Sequence, residues 1–173
     1  MSDPEWRIRS GRRDDAALLD EFSCADQSIH WQVEVEQFVQ AQLIDWTFDP
    51  HATDADPRLL LGFLDATGEL FGVAAHEEVV LEGDSSRFHA TKLQVIALAA
   101  AWQGRRFQSG VRPSDVLMSA VMTDISARTP PRTQRVFAVI HEENQRSIAL
   151  CRRHGLIAEM SRPHPQYRRL TTG

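Results

Sequence analysis

Apolar and charged residues alternate through Trp6, Arg7, Ile8 and Arg9, which predicts a short first strand. Residues 15–22 then place Ala16, Leu18, Leu19 and Phe22 at helical spacing, with Ser10 or Asp14 available as the cap. After a polar loop over residues 23–30, a second helix over residues 31–46 carries Val35, Phe38, Val39, Leu43 and Trp46 on one side. Residues 48–57 are acidic and rich in turn formers. Two apolar runs, residues 58–65 and 70–81, flank Ala66, Thr67, Gly68 and Glu69 and read as a hairpin. A turn over residues 82–86 leads to a third strand from about residue 90 to residue 99, completing an antiparallel meander.

The pattern breaks at Trp102-Gln103-Gly104-Arg105-Arg106 and resumes as a helix with Val116, Leu117, Ala120, Val121 and Ile125 at a 3.6-residue period. Residues 129–131 force a loop, and residues 135–141 form a buried strand. Residues 144–154 form an amphipathic helix closed by Gly155. A final strand pair, residues 156–161 and 166–172, turns around a proline-rich corner. The order predicts an α+β fold: one mostly antiparallel, mixed sheet covered by helices.

Strand, basic glycine-containing turn and helix together form a recipe for an anion site, because the first N–H groups of a helix are unpaired and its dipole is positive there. Charge sharpens this. Residues 1–100 hold 7 Lys/Arg against 19 Asp/Glu, a balance of −12, whereas residues 101–173 hold 12 Arg, no Lys and 5 Asp/Glu, a balance of +7. These are either two ordinary solvated faces or a bipolar domain, basic toward phosphate and acidic toward a cation. The exclusive use of arginine in the basic half suits phosphate oxygens.

A length of 173 residues suits one domain, residues 1–173, and the hydrophobic fraction of 42% is that of an ordinary globular protein. No run reaches the roughly 18 apolar residues of a membrane helix, and no secretory signal is expected at the start. Two cysteines at unpaired spacing, Cys24 and Cys151, make a reducing cytoplasm the expected compartment. The seven histidines show no metal-ligand spacing, so no metal is expected, and neither a Gly-x-Ser-x-Gly elbow nor a Walker-type loop occurs. Two clusters offer a general base, His76-Glu77-Glu78 and His141-Glu142-Glu143, with Glu78 or Glu142 the first choice, acting directly or through water. Asn144 can cap the last helix.

Two separated stretches carry a family resemblance. One is the strand–turn–helix around Gln103 and Gly104; the other is Asn144, Ser147, Ile148, Leu150, Gly155 and Leu156 at their mutual spacing. Together they resemble the GNAT superfamily of acyl-coenzyme A-dependent N-acyltransferases, whose element order also matches. The resemblance implies a central sheet of six to seven strands flanked by about four helices. It implies acetyl-CoA or another acyl-CoA as cofactor, with direct attack by an amine on the thioester in a ternary complex. Cofactor contacts are then expected from Leu98, Ala99, Gln103, Gly104, Arg105, Arg106, Gly110, Asn144 and Ser147. The acceptor, a small-molecule or peptide amine, is expected beside Cys24, Trp31 and Glu77, and a homodimer is expected by analogy.

Two departures stand out. Arg106 and Gln108 occupy positions where the pyrophosphate loop of the family has small residues, and residues 107–113 look like an insertion. The tyrosine that often protonates the departing thiolate is replaced by Cys151, which is either that acid or a small buried hydrophobe. Arg152 and Arg153, if they point the same way, lower its pKa. Two alternatives follow: a catalytically degenerate acyl-CoA-binding module, or a GNAT-type toxin that acetylates aminoacyl-tRNA through the arginine-rich half.

Overall fold

The computed structural model describes residues 5–50, 55–82, 87–128, 135–160 and 164–172. Strands β1 (Trp6–Ser10), β2 (Arg58–Leu64), β3 (Leu70–Glu82), β4 (Arg87–Leu98), β5 (Arg135–His141), β6 (Ile157–Ala158) and β7 (Tyr167–Thr171) build one sheet. Their spatial order is β1-β2-β3-β4-β5-β7-β6. Every pairing is antiparallel except β4 with β5, which run parallel. The α+β expectation and the three-strand meander therefore hold, and the parallel step is the junction between the meander and the C-terminal strands.

Among the described residues five helices cover the sheet: α1 (Ala16–Asp20), α2 (His30–Ala41), α3 (Leu43–Phe48), α4 (Pro113–Ala127) and α5 (Gln145–Arg153). The single helix expected over residues 31–46 is broken at Gln42, whose φ of −125° and ψ of −26° leave the helical region. Val39 and Leu43, on either side of the break, are both fully buried. Residues 83–86 of the expected turn, the loop expected over residues 129–131 and residue 163 of the expected proline-rich corner lie outside the described residues.

Two cores form, one on each face of the sheet. Leu117, Met118, Val121, Ile148, Leu150 and Cys151 pack with Leu93 and Ala138 under α4 and α5. Leu19, Val39 and Leu43 pack with Val73, Val95 and Ala97 under α1, α2 and α3. Gly72 lets α4 approach closely, because a Cβ there would lie 2.6 Å from Leu117 Cδ1 and 2.9 Å from the Ala97 carbonyl oxygen. Asp115 then ties α4 to α5, accepting from Arg153 Nη2 at 2.8 Å and lying 3.2 Å from His154 Nε2.

A buried polar cluster sits at the far end of α4. His76 is fully buried, with Nδ1 3.3 Å from Arg128 Nη2 and Nε2 in a close but poorly aligned contact, 2.9 Å, with Asp124 Oδ2. Burial, reinforced by Arg128 and opposed by Asp124, pushes the imidazole down to about 4. Arg128 also meets Asp56 at 3.0 Å and Glu78 at 3.4 Å.

Candidate active site

The site begins where β4 and β5 part. They pair only from Ala90 with Arg135 to Leu93 with Ala138. Beyond that point the facing edges, residues 94–98 and 139–141, have no ladder between them. The cause lies in β4: Ala75 pairs with Val95 and His76 with Leu93, so Gln94 is an extra residue on its strand. Such a bulge bends the strand and interrupts pairing.

A cavity of about 410 Å³ fills the gap, within the range of small-molecule sites. The cavity passes through the sheet. Because Ala138 and Ile140 face α4 and α5, alternation turns Val139 and His141 toward α2. One wall is therefore Asn144, Ser147, Leu150 and Cys151, from the start and inner face of α5. The opposite wall is Trp31, Glu34, Val35 and Phe38, which share one face of α2 by helical spacing.

The mouth is built by Gln103, Ser114 and Arg146. Gln103 Nε2 donates to the carbonyls of Cys24 at 2.6 Å and Leu98 at 3.2 Å, and its Oε1 accepts from Arg146 at 3.4 Å. Gly104, at a φ of +75°, turns the chain immediately afterwards in a conformation that favours glycine. No side chain caps α4; Pro113 has no N–H and the amides of Asp115 and Val116 donate to the Arg112 carbonyl, so the Ser114 amide and the positive dipole end are what α4 offers near the mouth. The insertion is anchored inward: Phe107 is buried and stacks on Trp6 at 4.6 Å, while Arg106 donates to the Gly110 carbonyl at 2.7 Å.

Cys24 is carried on a loop held by Glu36. Its buried carboxylate accepts from the amides of Cys24 (2.7 Å) and Ala25 (2.9 Å) and from Gln27 Nε2 (2.8 Å). Burial alone would raise its pKa, but these donors hold it below the ordinary carboxylate value. The Cys24 thiol is pushed up to about 12 by burial and by Glu36.

Of the residues singled out from the sequence, Leu98, Gln103, Asn144, Ser147, Cys151, Cys24 and Trp31 converge on this cavity. Ala99, Gly104, Arg105, Arg106 and Gly110 lie off its walls. So do the three carboxylates. Glu78 turns to the α4 face and pairs with Arg128 at 3.4 Å; Glu77 lies opposite Lys92, its pKa raised by burial against the pull of that lysine. Both sit on the side of Leu93 where β4 and β5 are still paired. Glu142 belongs to the turn after β5, and its amide donates to Gln166. The expectation that neighbouring arginines acidify Cys151 is corrected: Arg153 turns to Asp115, and burial raises the thiol to about 11.

Asn144 caps α5, accepting from the Ser147 amide at 3.1 Å. Sequence reasoning missed Arg146, His141 as a wall residue, and Tyr167, the one tyrosine of the chain. Trp31 stacks on His141, with centroids 5.7 Å apart and planes at 15°, and Tyr167 meets His141 edge-on at 5.2 Å. Among the described residues no cluster could hold a metal ion, and no helix is long and apolar enough to cross a membrane.

No family model matches the chain, and no curated protein matches it in sequence. Solved structures do match. A point mutant of the AtaT toxin, bound to the C-terminus of the antitoxin AtaR and acetyl-CoA, superposes with a TM-score of 0.67 at 14% identity, covering 97% of this chain and 92% of that one. The PaiA N-acetyltransferase of Thermoplasma acidophilum, in complex with coenzyme A, gives 0.65 at 12% identity, with 99% of each chain covered. An acetyltransferase of the GNAT family from Streptococcus pneumoniae gives 0.55 at 16% identity, covering 97% of this chain and 99% of that one. The chain has the GNAT fold. Within it, the parting of β4 and β5 is the gap at the centre of the sheet, and α4 and α5 are the helices that flank one side of that gap.

Proposed function

We propose that residues 1–173 form one acyltransferase domain that moves an acyl group, most simply acetyl, from acyl-coenzyme A to an amine. The observation that carries this reading is the unpaired edge of β4 over residues 94–98. Buried main-chain N–H and C=O groups need partners, and an extended ligand arm containing amides can supply them as an added strand would. The residues present fit acyl-coenzyme A. Arg146, held in place by Gln103, and the Ser114 amide at the start of α4 offer donors for phosphate at the mouth. Asn144 and Ser147 border the arm, and Leu150 and Cys151 give an apolar floor that excludes water. When bound, acyl-coenzyme A supplies an activated acyl group as a thioester.

The protein's own contribution is then positioning. Ligands on the α5 and α2 sides meet within one opening, and holding two reactants in register accounts for much of a rate enhancement. The amine's attack releases one proton as the amide forms, and the departing thiolate needs one, so the exchange balances without a cofactor beyond the acyl donor. A thiol held near 11 is a poor source for that proton, because it is less acidic than an ordinary thiol near 8.5.

Two buried, unpaired cysteines support a cytoplasmic setting. A homodimer belongs to the same reading and is checked by sedimentation. A second reading, acetylation of an aminoacyl-tRNA, is supported by the exposed Arg105 and Arg106 near the mouth and by the likeness to AtaT. Acetyl-CoA titration by calorimetry, paired with a thiol-release assay over an amine panel and aminoacyl-tRNA, tests these readings. Binding with release on an amine supports transfer; binding without release on any acceptor favours a non-catalytic module; no binding ends both.

A further inference from the structure

The two halves of the cavity differ in chemistry. The α5 side is polar at its mouth, whereas the α2 side is largely aromatic. A cation–π cage needs an open ring face within about 6 Å of the cation. Trp31 and His141 spend faces on each other, and Tyr167 stands edge-on to His141. Ring edges carry partial positive charge and suit apolar groups better than ammonium. Among the described residues Glu34 is the one carboxylate on the walls of the main cavity; its side chain is 53% exposed and lies 3.4 Å from His30. A polyamine would bring further charges with no matching carboxylate on those walls; Asp26 and Glu143 line the adjoining pocket, which Arg146 also lines and where it would repel a cation.

A second observation concerns the indole. Trp31 Nε1 is buried with no partner, and a buried N–H costs free energy until an acceptor meets it. A carbonyl oxygen beside the reacting amine would do so. A third observation concerns the proton. His141 Nδ1 accepts from the Glu143 amide at 3.3 Å, so in a neutral ring the proton sits on Nε2 and the lone-pair nitrogen is already engaged. With Glu77, Glu78 and Glu142 off the walls and Glu34 half in solvent beside His30, the walls offer little to take up a proton, which favours an acceptor that arrives as free amine. An α-amine, with an ordinary pKa of about 7.7–8.0, does so readily near pH 7, whereas an alkylamine like that of lysine, at about 10.4, is almost wholly protonated. Apolar surroundings shift either further toward the neutral form.

We infer that the acceptor is a hydrophobic α-aminoacyl group, its side chain against Phe38, Val139 and Tyr167 and its carbonyl on the indole N–H of Trp31. This deepens the acyl-transfer reading above and rests on it. The same chemistry occurs in a free aminoacyl amide, a peptide N-terminus and an aminoacyl ester of RNA.

The test is calorimetric binding of leucinamide, isoamylamine and spermidine to the protein, alone and with desulfo-coenzyme A present, followed by initial rates with acetyl-CoA. Leucinamide is expected to bind at least tenfold more tightly than spermidine and severalfold more tightly than isoamylamine, which lacks the carbonyl. Trp31→Phe keeps an aromatic ring and removes the donor, so it should narrow the leucinamide–isoamylamine difference to the part set by the protonation of the two amines, while leaving acetyl-CoA binding unchanged. Phe38→Ala should weaken both apolar amines. Spermidine binding as tightly as leucinamide, equal binding of leucinamide and isoamylamine, or no amine binding at all would each overturn the inference. Failure of acetyl-CoA itself to bind would instead remove the acyl-transfer reading. A leucine-initiated peptide and leucyl-tRNA, run beside leucinamide, assign the source.

Discussion

Leu93 of β4 and Ala138 of β5 are the last residues at which the two parallel strands remain paired. Beyond them the sheet opens, and every residue assigned here to acyl transfer lines or borders that opening. The β-bulge at Gln94 sets the opening one residue after the last pair.

Arg146 stands at the mouth with its guanidinium 3.4 Å from Gln103 Oε1. It is solvent-exposed, so its removal should change stability by less than about 0.5 kcal/mol. Loss of a charge-assisted contact to phosphate is worth about 1.5–3 kcal/mol. Arg146→Ala is therefore expected to weaken acetyl-CoA binding roughly tenfold or more, with an unchanged melting temperature. Equal affinity in the variant would show that the phosphates lie elsewhere.

The pairing of Arg146 with Gln103 was only half legible in the sequence. The Asn144–Leu156 signature fixed the position of α5, and strand periodicity placed β5 at residues 135–141 with no error. Arg146 fell on an unspecified position of that signature, where nothing local marks it. Trp31 and His141 are more than a hundred positions apart, and no periodicity predicts that two rings so distant will stack. Tyr167 carried a weak signal as the one tyrosine. The carboxylates misled for a different reason. Alternation correctly separates Glu77 from Glu78, but it does not reveal that β4 and β5 are still paired at their level of the sheet.

Cys151 is packed against the core of α4 and α5 and held near 11 by burial. A group acting as general acid contributes on the order of 10²–10⁴-fold. Cys151→Ala should instead leave turnover within about threefold of the wild type. A hundredfold loss in kcat at unchanged KM for acetyl-CoA would reinstate the thiol as the proton donor.

Glu36 organises the loop that carries Cys24 through two backbone amides and Gln27. Hydrogen bonds to a charged acceptor contribute about 1.5–3 kcal/mol each, and not additively. Glu36→Gln should lower stability to urea by about 2–3 kcal/mol and speed alkylation of Cys24, which is buried in the native protein. Unchanged alkylation would mean that other contacts hold the loop.

His76 gives the fold a specific pH response. Its folded value of about 4 lies below the ordinary 6.5, so the unfolded chain binds the extra proton between those values. Stability is thus fully present above pH 6.5 and falls as the pH drops from 6.5 toward 4, by on the order of 3 kcal/mol. His76→Gln retains a donor and an acceptor but does not titrate. Urea midpoints measured across this window should decline for the wild type and stay nearly flat for the variant; parallel declines would assign the response to other groups.

The central claim is that the opening between β4 and β5 holds acyl-coenzyme A, and hydrogen exchange followed residue by residue tests it most directly. Amides of residues 94–98 and 139–141 that face the opening should exchange quickly in the free protein and slow at least tenfold when acetyl-CoA is added. Protection confined to other parts of the chain, or none at saturating acetyl-CoA, would contradict the claim.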